Sequence, residues 1–511
     1  MRDIGLECVD TSSGRVVGRS PNSDGVHAFL GIPYAEAPID RWRFLPPRAI
    51  RKQIGILDAT RFGPASPQPL DDYAASLPDL GNDLFNEDSL NLNIWTAGLN
   101  GQMPVMVWIH GGGNTTGSSR RPDFDGARLA AKGVVVVSLN YRLGIFGFLD
   151  ISTIGGPGYR TSANNGLLDQ LCALKWVQTN ISAFGGDPNN VAVFGNSAGA
   201  SNISALLALP EPEQYFRRAI IQSGSASLTK SYSVARRISH TVFSRARVSS
   251  VDELFQRSPR ELLEIQSSGV ADLQELEKDL AFQPTVDGQL IKRFPLDAIR
   301  RGDAGGVDLI VGSTRNELRL YQDYTPALAN AKLAEIVGVR DFDQAFLDQL
   351  WGEYRSARPR MTNGQVALDV GSDYWFRLPA IRMAEAQCPH NKNVYMYLFN
   401  WQATDPMLGA AHAVELPFVF GNFEHGRMAR FIDANDPPTL LAAGRLVNQV
   451  QDYWTSFSLN GCPTTTDPGA WPKYDLAARS TMVFDRMSRI VDDPSAPERR
   501  LYDAVAFHGR E

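Results

Sequence analysis

The 511-residue chain has few cysteines, no excess of positive charge and no long hydrophobic run. The four cysteines, at positions 8, 172, 388 and 462, lie far apart and lack metal-ligand spacing, so they indicate reduced thiols and a cytoplasmic location. The net charge of -6 argues against a nucleic-acid partner. Apolar runs such as residues 134–137 are far shorter than the ~20 residues of a membrane span. With no apolar leader near Met1, we expect neither a signal peptide nor a membrane partner.

What the chain does have is a globular composition, with 43% hydrophobic and 21% charged residues, which excludes a fibrous or largely disordered protein. Short, continuous apolar runs predict strands buried on both faces. They span residues 103–110, 133–140, 190–195, 218–224, 307–313 and 394–399. Helical patterns lie between them, so we predict an α/β fold with a large, mostly parallel central sheet and helices on both faces. We expect one domain over residues 1–511, with mainly helical insertions near 232–300 and 318–390.

A Gly-x-Ser-x-Gly motif, residues 195–199, follows the predicted strand NVAVF and precedes a helical stretch. A serine on a sharp strand-to-helix turn needs small neighbours, and the helix behind it directs its N-terminal amides at developing negative charge. This context favours Ser197 as a nucleophile over an ordinary glycine–serine turn.

A second motif, His110-Gly111-Gly112-Gly113, directly follows the strand PVMVWI. Glycines let backbone amides approach a substrate oxygen without obstruction by Cβ atoms. Together with the amide after the nucleophile, such a loop forms an oxyanion hole, so we predict Gly112, Gly113 and Ala198 as donors. The alternative for the loop alone is a flexible turn.

A serine nucleophile needs a base and an acid, which follow it in the order acid, then histidine, in this architecture. Of the seven histidines, His412 lies in a loop of small residues after the last predicted strand. Glu317 follows the strand VDLIVGS and is the best-placed acid to accept the Nδ1 proton. From its spacing alone, Glu317 is equally well interpreted as a solvated surface carboxylate.

With these motifs the chain resembles the type-B carboxylesterases of the α/β-hydrolase fold, which include cholinesterases and bacterial para-nitrobenzyl esterases. The resemblance covers most of the chain and rests on blocks of sequence at residues 29–35, 43–47, 87–95, 140–149, 165–170, 184–188, 316–317 and 412–421. It implies the triad Ser197, Glu317 and His412, with no metal or organic cofactor.

The resemblance also implies supporting roles for several residues. It places the family's oxyanion donors at Gly112, Gly113 and Ala198, and an ion pair between Arg43 and Glu87. By the same resemblance, Ser223 lies near the triad acid, and Leu320 and Tyr321 line the substrate pocket.

Three departures from the family pattern are informative. Asn196 replaces the usual glutamate before the nucleophile, which removes a negative charge near the histidine and predicts a shifted pH profile. Ser89 stands where many relatives carry a disulfide cysteine, in agreement with a reducing cytoplasm. Asn114 replaces a common aromatic residue and begins a polar, basic segment over residues 114–121, with Arg120 and Arg121.

The segment over residues 114–121 suggests a pocket that favours polar or anionic esters, against the alternative of a solvated loop. The stretch PDLGNDLFN lacks the tryptophan with which cholinesterases bind a quaternary ammonium, which argues against choline esters.

The sequence therefore predicts a serine hydrolase that cleaves small carboxylic esters through an acyl-enzyme. One alternative is an amide or carbamate hydrolase with the same triad, which a panel of matched substrates would distinguish. The other is a non-catalytic adhesion module of the same fold, against which the complete triad argues. The oligomeric state is not specified by the sequence.

Overall fold

The predicted strands form the middle of a large sheet in the computed structural model of the protein. The structure describes residues 7–52, 55–69, 84–224, 226–271, 273, 281–321, 343–423, 430–433, 435–465 and 470–504. In chain order the strands are β1 (Cys8–Thr11), β2 (Gly14–Val17), β3 (His27–Pro33), β4 (Ile56–Asp58), β5 (Asn91–Thr96), β6 (Met103–Ile109), β7 (Val135–Leu139), β8 (Gly186–Asn196), β9 (Arg218–Gln222), β10 (Lys230–Ser231), β11 (Thr285–Val286), β12 (Asp308–Thr314), β13 (Val394–Phe399), β14 (Ser480–Phe484) and β15 (Arg489–Asp492).

Ten of these strands form the central sheet, in the order β15-β14-β13-β12-β9-β8-β6-β7-β5-β3. All neighbours from β14 to β7 are parallel, whereas β15, β5 and β3 pair antiparallel at the two edges. The predicted fold class, a mostly parallel sheet, is thus confirmed. The parallel part brings the carboxyl ends of β6, β8, β12 and β13 to one edge, where ligands bind in such folds.

Helices cover both faces of the sheet. The longer ones are α1 (Asn165–Asn180), α2 (Ala198–Leu206), α3 (Tyr232–Ala246), α4 (Pro259–Ala271), α5 (Gln344–Ala357), α6 (Asn363–Ser372), α7 (Leu378–Gln387) and α8 (Pro437–Asn460). Shorter helical segments are Ala127–Ala130, Gly144–Gly147, Ser152–Gly155, Val251–Phe255, Pro295–Arg300, Glu317–Leu320, Asp373–Arg377, Leu416–Phe420 and Ala496–Leu501. None of the described helices combines the length and apolar composition that a membrane crossing needs.

The alternating side chains of each central strand enter two different cores. From β6, Val105, Val107 and Ile109 join the core on one face, while Met106 and Trp108 join the other. All are fully buried. This double burial explains why the strands read as continuous apolar runs rather than as alternating patterns.

The two predicted insertions contain helices α3 and α4, and α5 to α7, respectively. Helix α4 begins with the capping box visible in the sequence: the Glu261 amide donates to Ser258 Oγ, and the Ser258 amide donates to Glu261 Oε2. Residues 274–280 and 322–342, within the predicted insertions, lie outside the described residues. The assignment of the whole chain to one domain stays a prediction.

Candidate active site

Ser197 lies on the sharp turn between β8 and α2. Its backbone is in the left-handed region, with φ +58° and ψ -126°, which costs a non-glycine residue energy and is common at functional sites. The turn packs tightly against the end of β6: a Cβ atom at Gly199 would lie 2.1 Å from the carbonyl oxygen of Ile109. Only glycine fits there, so the motif's spacing follows from this close approach.

The glycine loop after β6 lies directly beside the nucleophile. A Cβ atom at Gly111 would lie 2.7 Å from the carbonyl oxygen of Asn196 and 2.9 Å from Ser197 Cβ. In the described part of the chain, no backbone acceptor takes the amide hydrogens of Gly112, Gly113 or Ala198. The three amides predicted as oxyanion donors are therefore available to a ligand.

The loop is fixed from below by His110 and Tyr141. Their rings stack with centroids 4.6 Å apart, and the Tyr141 hydroxyl donates to the His110 carbonyl oxygen at 2.8 Å. Burial lowers the pKa of His110 to about 4. It is therefore neutral at physiological pH and acts as a packing residue.

His412 and Glu317 meet at the ends of two neighbouring parallel strands. The Nδ1 and Oε2 atoms are 2.5 Å apart, and both side chains are almost completely buried. The other carboxylate oxygen, Oε1, accepts the backbone amide of Thr314 at 2.7 Å. A carboxylate held in this way fixes the histidine ring and favours the Nδ1-protonated tautomer, which leaves Nε2 to act as a base.

Tyr321 lies against both Ser197 and His412. Its ring centroid is 5.3 Å from that of His412. Tyr321 as a whole is 55% exposed, but loss of solvent around its hydroxyl and the charge of Glu317 raise its pKa, and a side-chain hydrogen bond with Ser197 partly offsets the rise. Within the described residues His412 Nε2 has no hydrogen-bond partner, so the Ser197–His412 bond is not formed here. Such bonds often tighten only when substrate binds.

A cavity of about 410 Å³ opens above these groups. Ser197, His412, Gly112 and Gly113 line it, as do Leu320 and Tyr321, the predicted pocket residues. Its wall also carries Arg120, Arg121 and Arg430, and no aspartate or glutamate among the described residues. The described wall of the cavity thus contains three arginines and no carboxylate, with a serine at its base.

Asn114 does not line this cavity, so the prediction of a pocket residue is wrong there. Its side chain is fully buried; its Oδ1 accepts from Asn202 at 2.9 Å and lies 3.2 Å from the Tyr141 hydroxyl oxygen. Its carbonyl oxygen accepts the Gly144 amide at 2.7 Å. Asn114 therefore anchors the base of the glycine loop instead of facing the substrate.

Two residues implied by the family resemblance occupy supporting positions. Ser223 follows β9, with its amide donating to the Gly312 carbonyl at 2.9 Å and its buried hydroxyl unpaired among the described residues. Arg43 and Glu87 form a two-point ion pair at 2.5 and 2.8 Å, and the guanidinium also donates to the Leu254 carbonyl. This pair ties the N-terminal segment to the helices of the first insertion.

Sequence reasoning missed one buried carboxyl beside the triad. Glu415, three residues after His412, is 1% exposed, and its Oε1 accepts from Asn196 Nδ2 at 2.6 Å. The available signal was a lone glutamate within the apolar stretch that follows the histidine. Asn196 therefore both lines the cavity and donates a hydrogen bond to a second buried acid, Glu415.

Comparison with known proteins agrees with this arrangement. A sequence model of the carboxylesterase family matches residues 6–499. The chain is 37% identical to the para-nitrobenzyl esterase of Bacillus subtilis over 508 residues, covering 97% of this chain and 98% of that protein. It is 32% identical to the phenmedipham hydrolase of Pseudarthrobacter oxydans, covering 93% and 95%.

Among solved structures, a carboxylesterase of Geobacillus stearothermophilus superposes with a TM-score of 0.85 at 35% identity, covering 97% of this chain and 100% of that one. The chain therefore belongs to the carboxylesterase family. Its activity class is that of a carboxylic ester hydrolase, which excludes the adhesion-module alternative.

Proposed function

We propose that the chain hydrolyses carboxylic esters through an acyl-enzyme on Ser197. His412 Nε2 takes the hydroxyl proton as Ser197 Oγ attacks the ester carbonyl, and Glu317 stabilises the imidazolium that forms. The amides of Gly112, Gly113 and Ala198 bind the oxyanion. His412 then returns the proton to the departing alcohol, and a water molecule, activated in the same way, releases the acid and frees Ser197.

The observation that carries this proposal is the shared cavity. A serine on a strained turn, a histidine with a bonded carboxylate and unoccupied amide donors border the same space, although they come from four separate strand ends. The meeting of these groups from four strand ends supports a joint catalytic role.

The test is substitution of the nucleophile. We expect Ser197→Ala to abolish turnover of an activated ester and covalent labelling by an organophosphate, because no hydroxyl remains to be acylated. The control is Ser268→Ala, which removes an exposed hydroxyl on α4 and should leave both readouts unchanged. Retained labelling of Ser197→Ala would place the nucleophile elsewhere and overturn the proposal.

The finer proposal concerns the substrate: an ester that carries a carboxylate. Of the arginines in the cavity wall, Arg121 donates to Asp123 at 2.7 Å and lies over the Phe124 ring. Arg120 is half-buried, and in the described part of the chain no carboxylate pairs with it. A half-buried guanidinium with no counterion among the described residues can bind a carboxylate through two hydrogen bonds.

Two activated esters of nearly equal shape test this preference: 4-nitrophenyl pentanoate and the 4-nitrophenyl monoester of glutaric acid. We expect Arg120→Gln to lower kcat/KM for the charged ester, relative to the neutral one, by about tenfold, the effect of one charge-assisted hydrogen bond. Arg260→Gln makes the same charge change on an exposed helix and should leave the ratio unchanged. An unaltered ratio in Arg120→Gln would remove the anionic preference while leaving the esterase proposal intact.

The carbamate and amide alternatives use the same chemistry at a different bond. An ester, a carbamate and an anilide with a common acyl-side shape separate them by kcat/KM. The cytoplasmic location also stays a proposal, supported by four cysteines that form no disulfide.

A further inference from the structure

Tyr321 contacts both the nucleophile and the base. It follows the short helix Glu317–Leu320, which begins with the triad acid, and its amide donates to the Leu318 carbonyl at 3.1 Å. This turn brings the tyrosine to the cavity wall. There its hydroxyl forms a hydrogen bond with Ser197, and its ring centroid lies 5.3 Å from that of His412. The helix of the triad acid thus presents a tyrosine to both other members of the triad.

The hydrogen bond between Tyr321 and Ser197 competes with the bond that catalysis needs. His412 Nε2 is buried and has no hydrogen-bond partner in the described part of the chain. A serine hydroxyl has a single hydrogen. Whichever of the two hydroxyls donates, their bond holds Ser197 Oγ beside the tyrosine rather than beside Nε2. The nucleophile must therefore exchange one partner for the other before it can lose its proton.

The tyrosine has room to move away from the nucleophile. Tyr321 is 55% exposed, and it borders the open cavity rather than a packed core. A second aromatic ring, that of Phe376, also packs against His412, with centroids 5.2 Å apart. Phe376 belongs to the π-helical segment Asp373–Arg377 at the end of α6. The imidazole therefore keeps an aromatic neighbour when Tyr321 turns away.

A change of pH does not break the bond between the two hydroxyls. Loss of solvent around the hydroxyl and the negative charges of Glu317 and Glu415 raise the pKa of Tyr321 above its ordinary value of 10.0, against the opposing effect of Ser197. The tyrosine is therefore neutral throughout the range in which an esterase works. Release of the nucleophile must come from a ligand that displaces the tyrosine.

We propose that Tyr321 is a positioning residue that holds the Ser197 hydroxyl in a resting position, from which an ester entering the cavity releases it. This inference rests on the proposed function. As the ester reaches Ser197, the tyrosine ring turns toward the open side of the cavity, and Ser197 Oγ then donates to His412 Nε2. No covalent bond changes in this step. The bond to Tyr321 stabilises the free enzyme but not the transition state, so it lowers the rate of acylation.

The test is Tyr321→Phe, which removes the hydroxyl and keeps the ring beside His412. Two rates report acylation: kcat/KM for 4-nitrophenyl pentanoate, and the second-order rate constant of inactivation by diethyl 4-nitrophenyl phosphate. We expect both to rise about fivefold, the effect of losing one hydrogen bond between neutral groups. The rise should be the same at pH 6 and pH 9, because Tyr321 stays neutral at both. A merely structural role would lower the rates.

The matched control is Tyr215→Phe. Tyr215 precedes β9 at the amino end of the parallel strands, and its carbonyl accepts from Gln178 of α1. Removal of this hydroxyl, at the sheet edge opposite to the active site, should leave both rates unchanged.

Each outcome decides the inference. Rates in Tyr321→Phe that equal those of wild type would show that the bond does not restrain the nucleophile, and lower rates would show that the hydroxyl assists the reaction; either result overturns the inference. A rise at only one of the two pH values overturns it as well. Failure of the proposed function is a separate result, because it requires that Ser197→Ala, alone or combined with Tyr321→Phe, still be labelled by the organophosphate.

Discussion

The glycine loop and the nucleophile turn pack so closely that a methyl side chain at Gly111 has no room between them. A Cβ atom at Gly111 would lie 2.7 Å from the Asn196 carbonyl oxygen and 2.9 Å from Ser197 Cβ, closer than real Cβ contacts. We expect Gly111→Ala to lower kcat by about 10²-fold or more, because either the glycine loop or the nucleophile turn must move. Such a movement has the effect of losing an oxyanion donor. Steady-state kinetics with a neutral activated ester, together with a melting curve, measure this effect.

The matched control for Gly111→Ala lies in a helix. A Cβ atom at Gly444 in α8 meets nothing within 4 Å, so Gly444→Ala should keep full activity and gain about 0.5–1 kcal/mol of stability from reduced backbone freedom in the unfolded chain. If kcat of Gly111→Ala lies within twofold of the wild-type kcat, the loop adapts and the position of its amides does not depend on this contact.

Residues inside a local motif could be predicted from the sequence, because the chain itself brings them together. The roles of Asn114 and Glu415 could not. Asn114 is held by Asn202, 88 residues away, and Glu415 by Asn196, 219 residues away. Whether such a side chain faces a cavity or a buried network depends on partners that no local pattern identifies.

At the scale of elements, helix α6 supports the turn that carries the triad acid. Asp369 accepts from Asn316 Nδ2 at 2.8 Å and from Arg319 at 3.0 Å, and its other oxygen accepts from Arg358 at 2.9 Å. In the same helix, Ser372 Oγ accepts the Leu318 amide at 3.0 Å. An insertion helix thus fixes both sides of Glu317 without contacting the substrate.

We expect Asp369→Asn to destabilise the protein by about 3 kcal/mol, because it leaves the buried Arg319 guanidinium without a carboxylate partner, whereas Arg358 keeps its pair with Glu498. It should also lower kcat more than it raises KM, since the Glu317 turn loosens. Thermal unfolding and steady-state kinetics measure both effects. Arg260→Ala, which breaks an exposed pair, should change stability by less than about 0.5 kcal/mol. Equal effects of the two variants would contradict a supporting role for α6.

The strands and their parallel arrangement could be predicted because burial on both faces leaves a clear apolar signature. The edge strand β15 could not, because it is largely exposed and has no such signature. Nor could the support from α6 be predicted, since it depends on how the insertion packs back against the sheet.

At the scale of the whole molecule, the buried carboxyl of Glu415 affects stability. Its pKa is about 7 in the folded protein against an ordinary value of 4.5. Between these values the unfolded chain loses the proton that the folded chain keeps, so folding stability falls as the pH rises. The contribution is fully present below about 4.5 and lost above about 7, on the order of 3 kcal/mol.

Glu415→Gln should therefore match wild type in melting temperature at pH 5 and exceed it by about 2–3 °C at pH 8, where the native carboxyl is forced to ionise in a buried site. The comparison must be made between variant and wild type at each pH, because burial also lowers the pKa of Lys230 to about 7, which gives both proteins an opposing gain in stability above that pH. A variant more stable than wild type at pH 8 would show that the native carboxylate destabilises the folded protein. A variant less stable than wild type at pH 8 would instead show that the carboxylate is well solvated in its network, and the pH-dependent cost assigned to it would be wrong.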